Sequence, residues 1–202
     1  MVFQAAEAMR RADAGDVDAK CLLRILTPLV KFRVCRDARV VTADAMEVRG
    51  GCGYIEDWPD ARLVRDAHLG SIWEGTSNIV ALDVLRSARR ERGLLAISAH
   101  IRCQLAEAPL HGCEQALQRA CELVETAQAN EALARTAASA LYHLASAAAM
   151  SWEAKRIGDT HRAEFARLVM EHRVLPRDPL SATPRERAGI SDLLAAHTAS
   201  AH

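Results

Sequence analysis

The sequence predicts an all-α protein, a helical bundle with an additional helical segment toward the C-terminus. Aromatic residues make up only 4% of the chain while Ala and Leu abound, and that balance favours helix. The alternating runs of Val, Ile, Thr and Tyr that mark strands are nearly absent. Apolar residues recur instead three and four positions apart, between glycine and proline breaks.

The elements follow in order. Residues 3–13 read as a short helix ending at Ala14-Gly15, and residues 17–48 as a long one with Cys21, Ile25, Leu29, Phe32, Val41 and Met46 along its apolar stripe. Pro28 lies inside it, and a kink is expected there because proline removes a backbone donor and crowds the preceding turn. The helix stops at Gly50-Gly51-Cys52-Gly53-Tyr54, read as a glycine turn. A short helix over 60–68 follows, with a break at Gly70. Thr76 or Ser77 can then cap a helix from Ile79 to about Arg90. Helices over 94–107, 112–128, 130–157 and 160–174 complete the set, interrupted at Pro109 and Gly112. Pro176, Pro179 and Pro184 predict an extended stretch, and the last dozen residues are expected to fray. The charge-rich run 86–92 marks a boundary between residues 1–92 and a helical extension over 93–202.

Composition narrows function. Lys+Arg and Asp+Glu are both 26, so there is no broad electrostatic grip on nucleic acid or anionic membrane. The six cysteines form no CxxC pair and no zinc spacing with histidine. Cys113 and Cys121 share a helix face with Ala116, Leu117, Ala120 and Val124 and read as core, which fits a reducing, cytoplasmic setting. The long, nearly uncharged stretch 132–152 is mostly alanine, interrupted by Arg135, Ser139, His143 and Ser146. A membrane span needs about twenty residues of stronger apolar character, so this stretch reads as a helix packed closely on others. No GxSxG, HExxH, P-loop or dinucleotide fingerprint occurs, and His68, His100 and His143 read as surface or packing residues, leaving no metal site.

Chemistry concentrates between Glu47 and Arg86. Three pieces stand there in order: Gly50-Gly51-Cys52-Gly53-Tyr54, Arg65-Asp66-Ala67 and Trp73-Glu74-Gly75-Thr76. Together they resemble the C-terminal signature of the acyl-CoA dehydrogenase family, in which a GGxGY turn, an RDA-containing helix and an EGT element succeed one another. The tryptophan of WEGTSN, the glutamate before the glycines and the long extension look like the AidB-like subgroup. The resemblance implies the C-terminal helical domain of an FAD-dependent oxidoreductase acting on the CH–CH bond of an acyl-CoA.

Carried over residue by residue, the resemblance makes Glu74 the base that takes the proton alpha to the thioester carbonyl. That proton is a poor acid, so the chemistry needs an oriented carboxylate and a donor for the developing enolate oxygen. A glutamate just before a helix start can supply both, from its side chain and from its own backbone N–H. Gly75 would admit substrate and cofactor close to the main chain. Gly50, Gly51, Gly53, Thr76 and Asn78 fall where family members meet FAD. Each has a plainer reading: Glu74 as complement to the helix dipole, the glycines as a helix C-cap, Thr76 as an N-cap. Glu47 departs from the family's usual glutamine; an ionised carboxylate accepts but cannot donate, so it stays outside the site.

The resemblance also implies parts that this sequence does not supply, a helical N-terminal domain and a β-domain that hold the flavin. The chain is therefore expected to work as a homo-oligomer or with a chain supplying the missing domains, and to leave apolar faces bare by itself. The alternative is a non-catalytic helical interaction or DNA-associated module, with Arg86, Arg89, Arg90 and Arg92 as a small basic patch. A solvated helix end is the plainer meaning of that cluster.

Overall fold

The computed structural model of the protein describes residues 1–90, 92–175, 191–192 and 194–195. Pro176, Pro179, Pro184 and nearly all of the C-terminal tail lie outside the described residues. The regular structure among those described is helical, with no strand. The helices are α1 (Val2–Asp13), α2 (Val17–Val48), α3 (Gly51–Tyr54), α4 (Asp60–Leu69), α5 (Ser77–Arg90), α6 (Gly93–Glu107), α7 (Cys113–Ala129), α8 (Ala134–Ile157) and α9 (Thr160–Val169). A 3-10 turn, Glu131–Leu133, opens α8, and a π-helical turn, Met170–Val174, follows α9. Two compact units result: Met1–His100 with Gln118–Tyr142, and Ile101–Leu117 with His143–His202.

In the first unit α2 is the hub, packing against α1, α3, α4 and α5. Asp16 starts it, its carboxylate accepting from the Ala19 N–H at 2.9 Å, and cap bonds of this kind contribute about 1 kcal/mol. Ile25, Leu26, Leu29 and Phe32 on α2 are buried, as are Val80, Ala81, Val84 and Leu85 on α5. Pro28 is buried within α2, and the helix runs through it without a break. The α2–α5 pairing is tied by a two-pronged bond from Arg24 to Asp83, both prongs 3.0 Å. Gly93 permits a close approach: a Cβ there would stand 2.8 Å from the Ser87 carbonyl and 3.0 Å from Ile25 Cβ.

In the second unit Ile101, Cys113, Leu117, Leu144, Ala166 and Met170 are buried. Trp152 stacks under Arg156, which also pairs with Glu107 at 3.1 Å. Burial pushes the Cys113 thiol up to about 11, as befits a packing cysteine. Cys121 is only half-buried, and Cys52 and Cys103 are exposed, so the core reading of the cysteines holds for Cys113 and only partly for Cys121. The alanine-rich stretch is packed as its small side chains allow, with Ala137, Ala138, Ala145, Ala147, Ala148 and Ala149 all buried. No helix among the described residues is long and apolar enough to cross a membrane.

Candidate active site

The second half of α2 carries the scaffold of the site. Arg49 closes the helix, and the Gly50 N–H turns back to the Glu47 carbonyl at 2.9 Å. Gly50 takes a positive φ of 58°, and the chain then coils into the single turn of α3 rather than a plain glycine turn. The three glycines do different things. Gly53 is buried, and a Cβ on it would lie 2.2 Å from the Met46 carbonyl oxygen. Gly50 and Gly51 have nothing within 4 Å where a side chain would be, so their backbone stays open to approach.

The linker to α4 is held from both ends. Arg49 pairs with Asp60 at 3.1 Å and stacks on Trp58. Arg65 of the RDA element pairs with Glu56 at 2.7 Å, drawing that carboxyl below its usual range through the hydrogen bond first and charge attraction second.

Past α4 the chain is pinned to α2 again. Lys31 Nζ donates to the Gly70 carbonyl at 3.0 Å, and the Ser71 hydroxyl donates to the Cys35 carbonyl at 3.1 Å. Neither contact is visible in the sequence, because the partners lie 39 and 36 residues apart. The N–H groups of Ile72 and Trp73 both reach the Leu69 carbonyl at 2.9 Å. Two residues with positive φ follow, Glu74 at 58° and Gly75 at 112°. The Thr76 carbonyl then accepts from the Val80 N–H at 3.0 Å, so α5 opens at Ser77, two residues earlier than its periodicity suggests.

Glu74 thus sits in the turn before α5, exposed and in the left-handed region. For a residue with a long side chain that conformation costs on the order of 1 kcal/mol, and such outliers gather at functional sites. Among the described residues no backbone carbonyl takes the Glu74 N–H. Thr76 and Asn78 stand exposed at the start of α5, so Glu74, Gly75, Thr76 and Asn78 form one local group. Glu47 is exposed on the last turn of α2. Apolar side chains crowd the same segments without cover: Tyr54, Trp58, Ile72 and Trp73 are exposed by 75%, 45%, 66% and 63%. Contiguous bare apolar surface commonly serves as interaction surface.

The family model described as acyl-CoA dehydrogenase, C-terminal domain, matches residues 1–89. AidB of Escherichia coli (strain K12) is 42% identical over 95 residues, 46% of this chain and 17% of that protein. Acyl-CoA dehydrogenase family member 11 of Caenorhabditis elegans is 35% identical over 131 residues, 63% of this chain and 21% of that protein. The crystal structure of Caenorhabditis elegans ACDH-11 in complex with C11-CoA aligns with a TM-score of 0.74 at 26% identity, covering 95% of this chain and 36% of that one. The last two likenesses therefore reach past residue 89 into the extension. The chain spans only about a fifth of the length of the curated relatives it matches.

Proposed function

We propose, from the match of residues 1–89 to the acyl-CoA dehydrogenase C-terminal domain model, that this chain supplies the proton-abstracting half of an FAD-dependent acyl-CoA dehydrogenase. Glu74 is the base. The observation that carries this reading is the left-handed Glu74, held before α5 by a segment fastened twice to α2 and followed by Gly75.

The division of labour follows from the backbone. The Glu74 carboxylate takes the proton from the carbon alpha to the thioester carbonyl, and the neighbouring carbon loses a hydride. The enolate oxygen that develops needs a donor, and the Glu74 N–H is free to be that donor. Gly75 keeps the entrance clear of a side chain. FAD, when bound, supplies the acceptor for the hydride. The residues suited to hold it are Gly50, Gly51 and Gly53 at the end of α2, and Thr76 and Asn78 at the start of α5. The open space before Gly50 and Gly51 suits a flat, extended cofactor, and Gly53 serves that backbone by letting α3 close on α2. The uncovered aromatics are where the remaining flavin-binding domains, or a second copy of the chain, would dock. Such an enzyme works in the cytoplasm on an acyl-CoA thioester.

A DNA-associated module is the other reading. Arg86, Arg89 and Arg90 line a cleft of about 210 Å³ with Gln128 and Glu131. Arg86 is already engaged by Asp83 at 3.1 Å, and Glu131 adds negative charge to the same cleft, so catalysis is the better supported of the two.

The test is exchange of the substrate's alpha proton with deuterated solvent in the FAD-loaded holoenzyme containing this chain. Glu74→Gln is expected to slow exchange by at least ~100-fold while flavin content stays constant. Exchange at the unchanged rate in that variant would remove Glu74 from the chemistry.

A further inference from the structure

The helical extension closes a cleft against α5. Leu82, Leu85, Arg86, Arg89 and Arg90 recur three and four residues apart along α5, which places them on one face. Across an opening of about 210 Å³ that face meets Ala127, Gln128 and Glu131. Both walls belong to the first compact unit, which joins Met1–His100 to Gln118–Tyr142. Each wall is held in place by its own contacts. Asp83 ties α5 to Arg24 of α2 at 3.0 Å. The Asn130 side chain accepts from the Ala132 N–H at 3.2 Å and starts the turn that carries Glu131.

The cleft changes character along α5. At 1.5 Å of rise per residue, Leu82 and Arg90 stand roughly 12 Å apart. Leu85 and Ala127 are buried and Leu82 is half-buried, whereas Arg89 and Arg90 are exposed. Arg86 is engaged by Asp83 at 3.1 Å. No ion pair or hydrogen bond among the described residues takes the side chain of Arg89 or Arg90. At a plain helix end such cations are surrounded by water; here they form one wall of a cleft whose other wall belongs to the extension.

We propose that this cleft binds a small carboxylate bearing an apolar tail. Its volume lies below the ~300–1,000 Å³ of sites for drug-sized ligands, which sets the size. Charge sets the class. Arg89 and Arg90 against Glu131 leave one positive charge, which a monoanion balances; a phosphate dianion would meet Glu131 with charge to spare. Planar guanidinium forks match a carboxylate in two-pronged fashion, and Leu82, Leu85 and Ala127 offer the tail an apolar floor. The carboxylate can belong to a plain short-chain acid or to an apolar α-amino acid, whose ammonium Glu131 would take. The proposal does not rest on Glu74 being the base.

The experiment is a ligand-observed NMR titration of the full 202-residue chain with hexanoate, norleucine and hexanamide at constant ionic strength. The three share a six-carbon skeleton, and hexanamide lacks the charge. Saturable binding of at least one carboxylate is expected, with hexanamide roughly tenfold weaker or worse. Arg89→Gln and Arg90→Gln should each weaken that binding roughly tenfold; both residues are exposed, so the variants keep the fold. Arg92→Gln, which removes an exposed arginine outside the lining, should change little. Glu131→Gln separates the two sources: it tightens a plain acid by removing repulsion and weakens an amino acid by removing the ammonium's partner. Binding of neither carboxylate, hexanamide binding as tightly as hexanoate, or equal losses in Arg89→Gln and Arg92→Gln would overturn the site.

Discussion

Lys31 Nζ donates to the Gly70 carbonyl at 3.0 Å, and this bond sets where the segment bearing Glu74 leaves α4. A charged donor to a backbone carbonyl contributes about 1.5–3 kcal/mol when part-buried. Lys31→Met is expected to loosen residues 70–76, seen as faster amide hydrogen exchange confined to that segment. Catalytic rate should fall while cofactor content holds. Exchange that speeds up evenly across the chain would show that the lysine supports only global stability.

Glu74 at φ 58° makes stability and function separable. Glycine adopts that conformation without the Cβ penalty, so Glu74→Gly is expected to raise the unfolding free energy by about 0.5–1 kcal/mol while abolishing turnover. Denaturant melts of the two proteins check the first half and an acyl-CoA assay the second. A destabilised Glu74→Gly would mean that the carboxylate is needed for folding.

The glycines predict a contrast. At Gly53 an alanine methyl would meet the Met46 carbonyl oxygen at 2.2 Å, and Gly53→Ala should cost on the order of 2–3 kcal/mol as the end of α2 is forced open. Gly51→Ala meets nothing and should leave the melt within about 0.5 kcal/mol of the parent, yet lower flavin retention in the holoenzyme. Equal stability of the two variants would contradict the placement of Gly53.

Asp83 carries the pH dependence. The hydrogen bonds from Arg24 first, then the charges of Arg24 and Arg86, hold its carboxyl below its usual range despite partial burial. A depressed native pKa means that the unfolded chain binds the proton more readily. The contribution is therefore full above the ordinary carboxylate value near 3.8 and is lost as pH falls through the lowered native value. Asp83→Asn should cost about 1 kcal/mol at neutral pH, and its melt should converge on the parent's at acid pH. A gap that persists in acid would assign the loss to packing.

Much of this was legible because local chemistry speaks locally. The Ala14-Gly15 break and the Gly50-Gly51 pair are enough to bound α2, and Ile25, Leu29 and Phe32 face it inward, whereas Val41 of the same stripe is exposed. Glu74 stands out as the candidate base by its company, Trp73 before and Gly75-Thr76 after, but its left-handed backbone does not, since glutamate has no preference for that region. The division of labour among Gly50, Gly51 and Gly53 depends on where α3 folds back over Met46, and a run of glycines does not encode that direction. Lys31 and Ser71 were missed for a simpler reason: one residue reads as a helix-surface cation, the other as a loop hydroxyl, until α4 brings residues 70 and 71 onto α2.

The most direct measurement is the visible spectrum of the chain after incubation with FAD and desalting, repeated with a panel of acyl-CoAs for the parent and for Glu74→Gln, in the holoenzyme wherever the isolated chain retains no flavin. Flavin absorbance that bleaches with one acyl-CoA in the parent, and stays unbleached in a Glu74→Gln protein holding as much FAD, is the predicted result. Equal bleaching in both proteins would contradict it.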